Sequence, residues 1–183
     1  MDWKDLASTA VYTGMTDENE SIWERVDGVD VAFIGAFLTA HLSLEKYITD
    51  YLGLRYPSLA WGDAKLTFSQ KIALIQHEPA KPPYDEIYLR IKDFNSIRNK
   101  ISHQLNYQIT DKEKSKFVDF YMKITKASKT KPNIDIDNMA DLLGFFVSMT
   151  KSYFASAISY YHYNKRLQVK VIKLINKTGL RDN

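Results

Sequence analysis

Apolar residues in this chain recur mostly at intervals of three and four, the signature of helices with one buried face, and rarely alternate as strands require. From about Asp30 to Leu52, Ile34, Phe37, Leu38, His41, Leu42, Leu44, Glu45, Ile48 and Leu52 follow that spacing. Asp30 is placed to cap the helix start, Gly53 to stop it, and Pro57 to prevent resumption. Thr67 and Gln70 have capping-box spacing and open a short helix to about His77, which the run EPAKPPYDE then breaks. A third helix is predicted from about Tyr84 to His103 on Ile87, Ile91, Phe94, Asn95, Arg98 and Ile101. Thr110 and Glu113 repeat the capping box and start a fourth helix to about Lys126. A long last helix is predicted from about Asn138 to Asn176.

Five or so helices with short links imply an all-α antiparallel helical bundle. The runs AVYT and NYQIT look too brief to support a sheet. The chain divides into an acidic, aromatic N-terminal extension, residues 1–29, and a helical domain, residues 30–183, ending in a basic helix. In the extension, Trp3, Leu6, Val11, Ile22 and Trp23 are candidates to pack on the bundle.

Composition changes this picture little. The 183 residues are 45% hydrophobic and 26% charged, which suits one globular domain with its own core. There is no cysteine, so disulfides, thiolate metal ligands and thiol nucleophiles are excluded. The first residues have neither a basic start nor an apolar run, and the most apolar windows contain His41, Glu45, Lys46 or Lys151. A cytoplasmic chain without a membrane partner is therefore expected. Scattered glycines leave no phosphate-cradling loop.

Charge is more informative. Residues 1–90 carry 8 Lys+Arg against 14 Asp+Glu, a balance of −6; residues 91–183 carry 17 against 8, a balance of +9. A basic half suits a polyanionic partner such as RNA, or a set of lysine-solvated helix faces.

One segment carries recognisable chemistry: the third helix ends in IRNKISHQL. Asn99 and His103 lie one turn apart, Arg98 and Ser102 share the neighbouring strip, and Ile97 and Ile101 anchor the helix to the core. Histidine moves protons near neutral pH, the arginine fork neutralises charge on phosphate oxygens, and asparagine orients either. These types suit attack of a ribose 2′-hydroxyl on its own phosphodiester, with no metal or other cofactor. The bland reading is an Arg98 salt bridge and a His103 helix cap. Glu45, one turn from His41, is a candidate to orient Arg98 or His103, or to form an ordinary salt bridge.

IRNKISH resembles the Arg–X(4–6)–His motif of the HEPN superfamily, and the preceding SLEKYI helix and short second helix resemble its layout. The resemblance covers roughly residues 30 to 165. It implies a bundle of four to five helices, a homodimer, and a metal-independent ribonuclease site composed from two protomers. Arg98 and His103 would be catalytic, with Asn99, Ser102 and Glu45 in support. Toxins, abortive-infection (antiviral) effectors and RNA-processing enzymes are the roles it implies, with a cognate antitoxin or regulatory protein as a further partner. The alternative is a non-catalytic HEPN-like regulator that binds a nucleotide, RNA or protein in the same cleft.

In the last helix, Phe154, Ile158 and Tyr161 have core spacing, while Tyr160, Tyr161 and Tyr163 are candidates for a dimer seam. The basic tail beyond them suits RNA, an anionic partner or a second protomer.

Overall fold

The computed structural model describes residues 10–25, 30–61, 63–104, 107–128 and 132–178. Five helices dominate: α1 (Val31–Arg55), α2 (Phe68–Ile75), α3 (Ile87–His103), α4 (Asp111–Ala127) and α5 (Met139–Thr178). They form the helical bundle that the periodicity predicts. α5 packs along α1 and α4, while α3 lies against α1, α2 and α4.

The helix starts obey local chemistry. Asp30 Oδ1 accepts from the Phe33 amide at 2.9 Å. Thr67/Gln70 and Thr110/Glu113 both form complete capping boxes, each satisfying two amides that the first turn leaves without partners. Asn138 Oδ1 accepts from the Ala140 amide at 2.9 Å ahead of α5.

Two boundaries differ from expectation. α1 runs through Gly53 to Arg55, and its cap, Tyr56, has φ −128°. Pro57 is the effective stop, because its ring disfavours helical backbone in the residue before it. α3 begins at Ile87 rather than Tyr84, since the amides of Tyr84 and Ile87 close turns onto the carbonyls of Lys81 and Tyr84.

The expectation of no sheet is corrected. β1 (Ala10–Met15) and β2 (Ser21–Arg25) pair antiparallel, so AVYT belongs to a hairpin strand. The Thr16 amide bonds the Glu20 carbonyl at 2.8 Å, and Asn19 takes φ +62°, a left-handed conformation that asparagine tolerates. Trp23 and Ile22 stay exposed rather than packing on the bundle; Trp23 meets Tyr12 edge-on, with ring centroids 5.6 Å apart. Trp3, Leu6 and the Val11 side chain lie outside the described residues.

The core is strongly aromatic. Phe146 of α5 meets Phe94 of α3 and Phe117 and Phe120 of α4, with ring centroids 5.1–5.5 Å apart. Phe94 in turn lies 4.5 Å from Phe37 of α1. Helix α1 is long and apolar enough to cross a membrane by length and composition. In this fold it turns Phe37, His41, Leu44, Ile48, Tyr51 and Leu52 inward. Phe154 of α5 is fully buried, and Ile158 and Tyr161 pack against the core from its edge.

Phe146→Ala should therefore cost about 3–5 kcal/mol, because the hole opens between α3, α4 and α5, which cannot all close on it. Met122→Ala on the exposed side of α4 should change stability by under about 0.5 kcal/mol. Urea midpoints of the two variants check the contrast.

Candidate functional site

Helix α3 buries Ile87, Tyr88, Ile91, Phe94, Ile97 and Ile101. That packing fixes the helix rotation and leaves Asn95, Asn99 and His103 in one strip at successive turns. Arg98 and Ser102 occupy the strip beside it.

Arg98 is half-buried, and its Nε is fully enclosed with no hydrogen-bond acceptor. Its Nη1 donates to Asn99 Oδ1 at 3.3 Å. Among the described residues no carboxylate pairs with it. Asn99 thus links the arginine to the strip that ends in His103. His103, the last residue of α3, is exposed, and its side chain makes no hydrogen bond to a described residue. The Ser102 hydroxyl donates to the Arg98 carbonyl at 2.9 Å, so it serves its own helix. Of the two roles open to Glu45, the structure has the salt bridge: Oε1 accepts from Lys71 Nζ of α2 at 2.7 Å.

Three further residues complete the arrangement. His41 of α1 is buried, and its Nε2 lies 3.1 Å from Asn95 Oδ1. Asn95 Nδ2 donates to Ser69 Oγ of α2 at 3.0 Å, which leaves its carbonyl oxygen for the His41 N–H. The imidazole lies between Phe68, 4.2 Å away between centroids, and Phe94, 6.1 Å away and nearly parallel. Burial lowers the His41 pKa most, and the positive Arg98 adds to that; the Asn95 bond and the Glu45 carboxylate oppose it without reversing it. The result favours a neutral ring beside the unpaired guanidinium.

The signal for His41 was its place in the core spacing between Phe37 and Leu44, where an imidazole needs a buried partner. Nothing in the local sequence pointed to Asn95 or Ser69 as that partner.

The end of α3 is held by a second network. Lys100 Nζ reaches Glu113 Oε1 at 2.7 Å, and the Tyr107 hydroxyl donates to the other carboxylate oxygen. Burial alone would raise the Glu113 pKa, but the bonds from Lys100, Tyr107 and Thr110 outweigh it and bring it down to about 2. These bonds tie the turn carrying His103 to the start of α4. Among the described residues no group of three His, Asp or Glu side chains is arranged to hold a metal ion.

The lowered His41 pKa makes a signed prediction. The unfolded chain takes up the proton as pH falls below 6.5 while the folded chain resists it, so stability is full above 6.5 and declines below it. The carboxylate Glu113 begins to contribute only below its ordinary 4.5, so the window between is diagnostic. His41→Gln keeps an amide donor for Asn95 but does not titrate. Urea midpoints measured between pH 7 and 5 should fall for the wild type and less steeply for His41→Gln.

No family model, no curated protein and no solved structure matches this chain.

Proposed function

We propose that this protein is a HEPN-like, metal-independent endoribonuclease that acts as a homodimer, with Arg98 and His103 as its catalytic pair. The observation that carries this reading is Arg98: a half-buried cation with an enclosed, acceptor-free Nε and no carboxylate partner among the described residues. A guanidinium without a carboxylate partner is free to take an anion from outside through its other nitrogens, and a phosphodiester supplies one.

His103 Nε2 or Nδ1 takes the proton from a ribose 2′-hydroxyl, whose oxygen attacks the adjacent phosphorus. Charge builds on the phosphorane oxygens beside the Arg98 fork. The bond to the 5′-oxygen breaks, and that oxygen receives a proton, leaving a 2′,3′-cyclic phosphate and a 5′-hydroxyl. One α3 segment supplies one histidine, whereas the two proton transfers are best served by two. A second copy related by a two-fold axis would supply the other. Neutral His41 leaves the Arg98 charge undiminished, and Asn99 orients the guanidinium. A toxin or phage-defence effector, released from a cognate antitoxin or regulator, is the role this chemistry suits.

Purified protein with total RNA in EDTA is the test. His103→Ala should lower cleavage by about a hundredfold or more, since it removes the proton-transfer group. Arg98→Ala should cost a similar factor, and Arg98→Lys should restore little of it because the planar fork is lost. Asn99→Ala should cost less. A folded His103→Ala that cuts at the wild-type rate would overturn the mechanism. RNA binding without cutting by wild type and variants would favour the non-catalytic binding module.

A further inference from the structure

The bundle ends before α5 does. Forty residues of helix extend about 60 Å, whereas the 25 residues of α1 extend about 38 Å. The last ring of α5 that meets α1 is Tyr161, whose centroid lies 6.2 Å from that of Tyr51. Beyond it, described side chains are exposed apart from half-exposed Asn164 and Ile175.

Part of the apolar surface of this outlying stretch follows a heptad, while Val169 and Ile172 lie off it at f and b. Tyr160, Asn164, Leu167, Val171 and Leu174 alternate at spacings of four and three, the a/d seam of a heptad with Asn164 and Val171 at a. Tyr160, Leu167, Val171 and Leu174 are 64%, 39%, 52% and 61% exposed. The identities are as informative as the spacing. A β-branched residue at a with leucine at d favours two parallel strands, and a single asparagine at a fixes register and partner number. Charge respects the seam as well. Residues 160–177 contain five cations and no acid, and Arg166, Lys170, Lys173 and Lys177 all lie at c or g. In a parallel pair, Lys170 at g faces Ile175 at e of the other strand and Tyr163 at g faces Gln168, so within residues 160–177 no lysine opposes a lysine.

We propose that residues 160–177 of α5 form a parallel, in-register two-stranded coiled coil with the same segment of a second copy of this chain. A lipid surface would accept the apolar and basic faces, but it gives no reason for a 3.5-residue seam or for an asparagine within it. The inference rests on this surface alone, independent of the ribonuclease reading.

The chain has no cysteine, so a single introduced thiol reports on proximity without background. In the full-length protein, Val171→Cys places two thiols across the seam, within disulfide reach in a parallel pair, whereas Lys165→Cys at b points them apart. Mild oxidation followed by non-reducing electrophoresis should give covalent dimer at least about tenfold faster for Val171→Cys than for Lys165→Cys. Adding Leu167→Glu, or separately Tyr160→Glu, to Val171→Cys should abolish that advantage while circular dichroism stays helical. Equal rates at the two positions, or indifference to both glutamates, would overturn the proposal. So would cross-linking of Val171→Cys that occurs only with phosphatidylserine vesicles, which would make this face a lipid-binding surface. A cross-linked, RNA-inactive chain would keep this inference and reject the nuclease; active chain without the cross-link would do the reverse.

Discussion

Everything on the polar side of α3 depends on where Phe94 is held. Its ring is enclosed by Phe37 and Phe146, and Phe146 is in turn bracketed by Phe117 and Phe120. Four helices therefore share one aromatic cluster, and rotating α3 by one residue would eject Phe94 from it. With that rotation fixed, Asn95 must point toward His41, and Asn99 and His103 must follow at one-turn intervals. The site inherits its geometry from the core rather than from a loop, which is the more rigid way to aim a side chain.

The electrostatics make Arg98 stand out from its neighbours. Lys71 has Glu45, Arg90 and Lys116 share Asp93, Lys100 has Glu113, and Lys123 has Asp85 and Glu86. Most of these pairs join different elements of the bundle, and Arg90 pairs within its own helix. Arg98 is more enclosed than a solvated surface arginine, yet its nearest side-chain acceptor is the neutral amide of Asn99. Folding alone does not reward such an arrangement, because enclosing an unpaired N–H costs free energy. Groups placed at a loss to stability concentrate where a ligand completes them.

The helices were legible because their signals are local. Thr67/Gln70 and Thr110/Glu113 act within four residues, and the isoleucines of α3 need only a regular period to face inward. The hairpin was not legible: its turn has neither Asn-Gly nor Asp-Gly, both strands are short, and β1 is interrupted by an irregular register between Tyr12 and Gly14. Within the site, Arg98, Asn99 and His103 sit close together in sequence and were found together. The His41–Asn95–Ser69 chain joins three helices across 54 and 26 residues, a pairing that no local pattern encodes. Glu45 shows the same limit. Its i, i+4 position relative to His41 was evident, but its choice of Lys71 depended on how α2 docks.

The claim that the α3 strip drives attack by the ribose 2′-hydroxyl is tested most directly by mass spectrometry of the ends made when purified protein cuts a defined RNA. Transesterification aided by His103 and Arg98 predicts 2′,3′-cyclic phosphate on one fragment and 5′-hydroxyl on the other. It also predicts no cut where the nucleotide on the 5′ side of the scissile phosphate is 2′-deoxy. Ends bearing 3′-hydroxyl and 5′-phosphate, or equal cutting of the deoxy-substituted strand, would contradict it.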